Sequence, residues 1–162
     1  MALDLDRHMR FEVVVLAVAS ALIVASGAIA AGGTSVTRAP IIGLGAKTSA
    51  NTLSDTTGRG TIGAPGSGCW IDFEYWRVSL TAGDAVLVKG SGYHFQVAVF
   101  PPGTNAKTIH TAPPVKSGFP AEAAMRFTAR STGTYSVVGG PNCYDGNDGA
   151  FDFVITAKHK TG

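Results

Sequence analysis

Clustered basic residues are missing from this chain. The longest cationic run is the Lys158, His159, Lys160 tail. A nucleic-acid footprint needs Lys and Arg gathered on one face or stripe, so that class is set aside. Charge is scarce altogether, at 15% of 162 residues, where a globular domain has about a quarter. Cysteine is limited to Cys69 and Cys143. With no CxxC and no nearby histidine pair, they lack zinc-ligand spacing. Sustained helix-period runs are also lacking. The one short helical signal, Ala121 to Met125 behind Pro120, does not support an α-rich fold.

Catalytic motifs are equally absent. A serine hydrolase needs a Gly-x-Ser-x-Gly elbow between a strand and a helix. Gly66-Ser67-Gly68 and Gly90-Ser91-Gly92 lie in loops between strand-like runs and do not fit. His94, His110 and His159 stand apart in sequence. No nucleophile–base pair or carboxylate pair can be named, so the expectation is a protein that is not an enzyme.

What is present begins with an oily N-terminus. Arg7, His8 and Arg10 precede an uncharged run over residues 13–31, and Ala28-Ile29-Ala30 supplies small residues at a cleavage position. That is the layout of a signal peptide over residues 1–30. The run is also long enough for a retained anchor, which needs about 20 apolar residues. Either outcome places the remainder outside the cytoplasm, secreted or at the cell surface. The membrane is touched only through residues 13–31, if they stay uncleaved. Removing residues 1–30 takes away two arginines and three acids and leaves a net charge of +3.

An exported chain with two distant cysteines points to a Cys69–Cys143 disulfide. Closing the 73 residues between them stabilises by about 4 kcal/mol in the chain-entropy model.

Residues 31–57 are poor in aromatics and show no sustained period, which reads as a Gly/Ser/Thr-rich linker. A β-sandwich domain is expected over 58–160. Trp76, Val78 and Leu80 alternate with Arg77 and Ser79, the period of a half-buried strand. Thr81-Ala82-Gly83-Asp84 turns the chain into Val86 and Val88. Phe95, Val97 and Val99 follow, and Pro101-Pro102-Gly103 stops that strand. Lys107 to Thr111 is a weakly apolar edge candidate. Met125, Phe127 and Ala129, then Tyr135 and Val137, then Phe151, Phe153 and Ile155 complete the pattern. Many short strands with few helical runs predict an all-β fold, an antiparallel sandwich of jelly-roll type. Its core is expected to include the inward residue of each pair.

The order of these pieces resembles the bacterial pre-peptidase C-terminal domain superfamily. An aromatic strand leads into an Ala-Gly-Asp turn (Trp76 to Asp84), and an alternating strand into Pro-Pro-Gly-Thr (Phe95 to Thr104). Thr-Gly-Thr-Tyr enters the next (Thr132 to Val138), and Gly-x-Phe-x-Phe closes the domain (Gly149 to Phe153). The likeness covers roughly residues 60–157. It implies a jelly-roll binding, adhesion or maturation module without catalysis of its own. Relatives usually follow a secreted catalytic domain; here a stand-alone exported form is expected.

Two site expectations follow from the residues. Asp145, Asn147 and Asp148, with Asp72 brought near by the disulfide, offer oxygen ligands for calcium. The same Asp-Gly and Asn-Asp-Gly sequences are ordinary hairpin turns, so no other cofactor is expected and calcium is the one alternative. Tyr75 alternates with inward Trp76 and is expected to face out, while Tyr93 and Tyr144 fall in loops. Such aromatics can anchor a protein or stack on a glycan. The functional expectation is an exported module binding a protein or glycan at the cell surface. The alternatives are a membrane-anchored envelope protein with no small ligand and an accessory to a secreted hydrolase.

Overall fold

The computed structural model describes residues 32–33, 35–51, 73–92, 95–141 and 150–159. Eight strands form two four-stranded sheets: β1 (Lys47–Asn51), β2 (Glu74–Leu80), β3 (Asp84–Ser91), β4 (Phe95–Phe100), β5 (Lys116–Gly118), β6 (Met125–Thr128), β7 (Gly133–Pro141) and β8 (Ala150–His159). One sheet has the order β1-β8-β3-β6 and the other β2-β7-β4-β5, with every ladder antiparallel. Strand 1 pairs with 8, 2 with 7, 3 with 6 and 4 with 5. This nesting of a long folded-over hairpin is the jelly-roll order. Among the described residues there is no α-helix, and none long and apolar enough to cross a membrane. Ala121 to Met125 runs through a turn directly into β6.

The core lies between the sheets. Trp76, Val78 and Leu80 from β2 meet Val86 and Val88 from β3 and Phe151, Phe153 and Ile155 from β8. Trp76 sets its edge against Phe153 at 4.9 Å, and Phe151 stacks on Phe95 at 4.6 Å between ring centres. These are favoured aromatic geometries. Tyr135 is fully buried, and its hydroxyl donates to the Ser131 carbonyl at 2.9 Å. That bond satisfies the one polar atom of a core ring and fixes the entry to β7.

Two expectations are corrected. Within the stretch read as a linker, residues 35–51 are part of the sandwich. Ile42 joins the core, and Lys47–Asn51 pairs with β8 as an outer strand. Lys107 to Thr111 is not a strand. Asn105 accepts from the Lys107 amide through Oδ1 at 2.9 Å, and its carbonyl accepts from the Ile109 amide at 2.9 Å. This Asx turn winds the segment into helical turns. The outer edge of that sheet is instead β5.

A third layer covers the sheet β2-β7-β4-β5. Gly33 exchanges backbone hydrogen bonds with Tyr75 at 2.7 and 3.0 Å. Ile42 donates to Arg77, and Arg77 donates to Pro40, each at 2.8 Å. This strap occupies the β2 edge, which would otherwise offer unpaired backbone to another chain. Val36 and Ala39 of the strap, with Ile109 of the 101–115 segment, pack over Tyr75, Ala98, Phe100 and Val138.

Candidate functional site

The strap and the 101–115 segment make the two outer faces unequal. One sheet is covered by its own chain. The outer face of β1-β8-β3-β6 carries no such layer among the described residues. Alternation along each strand decides what this bare face presents. Inward residues Val86, Val88, Phe151, Phe153 and Ile155 are buried. Outward are Lys47 and Ser49 on β1, Asp152 to Lys158 at every second position on β8, Ala85 to Ser91 likewise on β3, and Arg126 and Thr128 on β6.

The register arranges these side chains in rows. Lys47 lies across from Val154, which lies across from Lys89. Thr156 lies across from Leu87, which lies across from Arg126. Lys158, Ala85 and Thr128 form the next row. Lys47, Lys89, Arg126 and Lys158 therefore share a face with a single carboxylate, Asp152.

That carboxylate is already engaged. Its Oδ2 lies 2.7 Å from Lys47 Nζ, and its Oδ1 accepts from the Ser49 hydroxyl. Lys47 first, then Ser49, hold the Asp152 carboxyl below the usual carboxylate range. Among the described residues, Lys89, Arg126 and Lys158 have no carboxylate within ion-pair distance. Half-buried Leu87 and Val154 give the face an apolar centre.

Two hollows meet at β6. One of about 420 Å³ is lined by Ala85, Leu87, Arg126, Phe127, Thr156 and Lys158. The other, of about 890 Å³, lies between Pro113, Pro114, Phe127, Arg130 and Tyr135. Phe127 and Thr128 line both. The surface is thus continuous from the cationic sheet face, over the edge strand, into a proline-walled cleft with Arg130 beside it. A broad relief of this kind suits a protein surface better than a small enclosed ligand.

Of the residues expected from the sequence to form sites, Tyr75 alone is described. Its ring does point away from Trp76, but it is 6% exposed and packs edge-on against Phe73 at 5.4 Å. Burial pushes its phenol up. The expectation of an exposed Tyr75 is corrected, because the strap and the 101–115 segment cover that face. Tyr93, Tyr144, Cys69, Cys143, Asp72, Asp145, Asn147 and Asp148 lie outside the described residues, as does the N-terminal run over residues 13–31. Among the described residues no cluster of His, Cys, Asp or Glu has metal-binding spacing. His159 is held by Asp84 rather than by a reactive partner.

Sequence reasoning missed Lys89, Arg126 and Lys158. Each was visible as the polar member of an alternating strand. That they share one face depends on the strand order.

No family model and no curated protein matches this chain. Solved structures do. The periplasmic inhibitor of g-type lysozyme PliG from Aeromonas hydrophila is similar with a TM-score of 0.51 at 14% identity. The match spans 80% of this chain and all of that one. PliG from Salmonella Typhimurium gives 0.39 at 16% identity, over 54% of this chain and 78% of that one. The first likeness is one of fold.

Proposed function

We propose that this chain is an exported, non-enzymatic β-sandwich that binds a protein outside the cytoplasm. A glycan-cleaving enzyme of the cell wall is the partner class to test first. The observation that carries the reading is the inequality of the two sheet faces. One is sealed by the chain's own strap, and the other is bare among the described residues, cationic and continuous with a cleft. The fold shared with a periplasmic inhibitor supports an extracytoplasmic binding role, as does the oily run over residues 13–31. The pre-peptidase resemblance points the same way, towards a module without catalysis of its own.

A protein partner is favoured over a glycan because, among the described residues, the outward positions of the bare sheet carry no aromatic ring to stack on a sugar. The calcium reading rests on sequence alone. The test is peptidoglycan hydrolysis by g-type lysozyme, with and without the purified chain, together with direct binding of the two. Saturable inhibition at a fixed stoichiometry is expected. Neither complex nor inhibition, with this or other wall hydrolases, removes the enzyme-partner reading.

A further inference from the structure

We infer that the partner meets the bare sheet with an acidic protein surface, read by Lys89, Arg126 and Lys158 around Leu87. This rests on the reading of that face as a protein-binding surface. The three cations come from three different strands, and none has an ion-pair partner among the described residues. Arg126 lies across from Leu87, Lys89 is the next outward residue on the same strand, and Lys158 is on β8 one row away. Strands about 4.8 Å apart and a rise of about 3.4 Å per residue put the backbones of Arg126 and Lys158, on either side of β3 and one row apart, about 12 Å from each other. At low ionic strength the screening length exceeds that separation and their fields add, and the effect fades as salt rises. Like charges gathered on one face repel and contribute nothing to folding. Carboxylates on a partner remove the repulsion.

The chemistry narrows the occupant. Arg126 offers a planar fork that can engage a carboxylate through two bonds, and the lysines act as point charges. Leu87, Val154 and Ala85 lie between them. A charged polymer has little use for an apolar centre, whereas protein interfaces combine an apolar core with a charged rim. Strands of this length and number give a face on the order of 500 Å². The adjoining cleft brings it towards the roughly 800 Å² per partner of a standard interface. The Lys47–Asp152 pair at the β1 edge is internally compensated and is assigned no part in this contact.

The test uses the full chain and four probes: a short poly-L-glutamate peptide, polygalacturonate, phosphatidylglycerol vesicles and g-type lysozyme. The variant is R126E/K158E, and the control is K107E/K116E. All four positions are exposed and the control pair lies off this face, so far-UV circular dichroism should be unchanged for both. Poly-L-glutamate is expected to bind, with affinity falling as salt rises from about 50 to about 300 mM. R126E/K158E should weaken it about tenfold or more, and K107E/K116E should leave it within about twofold. Equal losses in both variants would reduce the effect to net charge and overturn the inference. Loss of polygalacturonate or vesicle binding in R126E/K158E, with no binding of poly-L-glutamate, would overturn it in favour of a polymer or lipid face. Site-dependent poly-L-glutamate binding with no effect on lysozyme leaves the charge assignment standing and removes only the enzyme-partner reading.

Discussion

Asp84 and His159 close the sandwich at one end: the Asp84 Oδ1 and His159 Nδ1 atoms are 3.0 Å apart, joining the first residue of β3 to the last residue of β8. The other carboxylate oxygen accepts from the Thr81 amide at 2.8 Å, and the Asp84 amide donates back to the Thr81 carbonyl at 3.0 Å. Gly83 between them takes φ 92°, where a side chain would be strained. One aspartate thus fixes both a turn and the end of a ladder.

The Thr81 amide, and after it His159, hold the Asp84 carboxyl below the usual carboxylate range. A depressed folded value means stability that is present above the unfolded value of about 4. It is lost as pH falls through the folded value. Asp84→Asn should lower Tm at neutral pH, and the gap from wild type should narrow as pH drops below about 4. Thermal unfolding across a pH series checks this; a gap independent of pH would show that the carboxylate charge is not what the turn uses.

The aromatic centre should be the most sensitive part of the core. Phe151 stacks on Phe95 and meets Trp76 edge-on at 6.2 Å. Phe151→Ala removes a ring with 3% exposure from between the sheets, which costs about 3–5 kcal/mol in well-packed cores. Guanidinium denaturation should show the midpoint falling at nearly constant slope. A loss under about 1 kcal/mol would mean the site collapses around the gap.

How far the sequence disclosed this arrangement varied with the range of the interaction. Alternation at Trp76, Val78 and Leu80 placed β2 and its inward face correctly, because that signal is local. Lys47–Asn51 escaped notice because the residue it turns inward is Thr48, buried yet polar, so no apolar period exists to be read. Tyr75 was given the right direction and the wrong environment. Period two separates two faces but does not say which one meets water. A clue was available in β4, where Phe95 to Phe100 is apolar at nearly every position and buried throughout. Such a run marks a strand covered on both sides. The cationic face could not be read at all without knowing that β3 lies between β8 and β6.

Two glycines separate crowding from backbone strain. At Gly90 a Cβ would come 2.3 Å from the Phe95 ring and 3.0 Å from the Asp152 carbonyl oxygen. Gly90→Ala must therefore move a core aromatic or part the β3–β8 ladder, and overpacking of this kind costs about 1–3 kcal/mol. At Gly45, φ is 81° and nothing lies within 4 Å of a Cβ. Gly45→Ala should cost about 1 kcal/mol through left-handed backbone alone. Gly45→Asn should recover part of that, since asparagine tolerates this region. Denaturation midpoints of the three variants test the ordering, with Gly90→Ala expected lowest.

The strap provides the last test, because its hold on β2 runs through two side chains as well as the backbone: Glu74 Oε2 accepts from the Gly32 amide, and Arg77 reaches the residue after Arg38. Arg77 Nε donates to the Ala39 carbonyl at 2.8 Å, one residue beyond exposed Arg38. A protease that cuts after arginine reaches the Arg38–Ala39 bond only when the strap lifts, since Ala39 is buried against Tyr75 and its neighbours. Cleavage of a segment that opens and recloses quickly follows the population of the open form. A hydrogen bond to a charged group contributes about 1.5–3 kcal/mol, so Arg77→Met should raise the open population by about tenfold or more. Trypsin digestion, with mass spectrometry of the fragment ending at Arg38, should show that acceleration while the near-ultraviolet dichroism of the core aromatics stays unchanged. Should cleavage after Arg38 proceed at the wild-type rate in Arg77→Met, the Arg77 side chain would have no part in holding the strap.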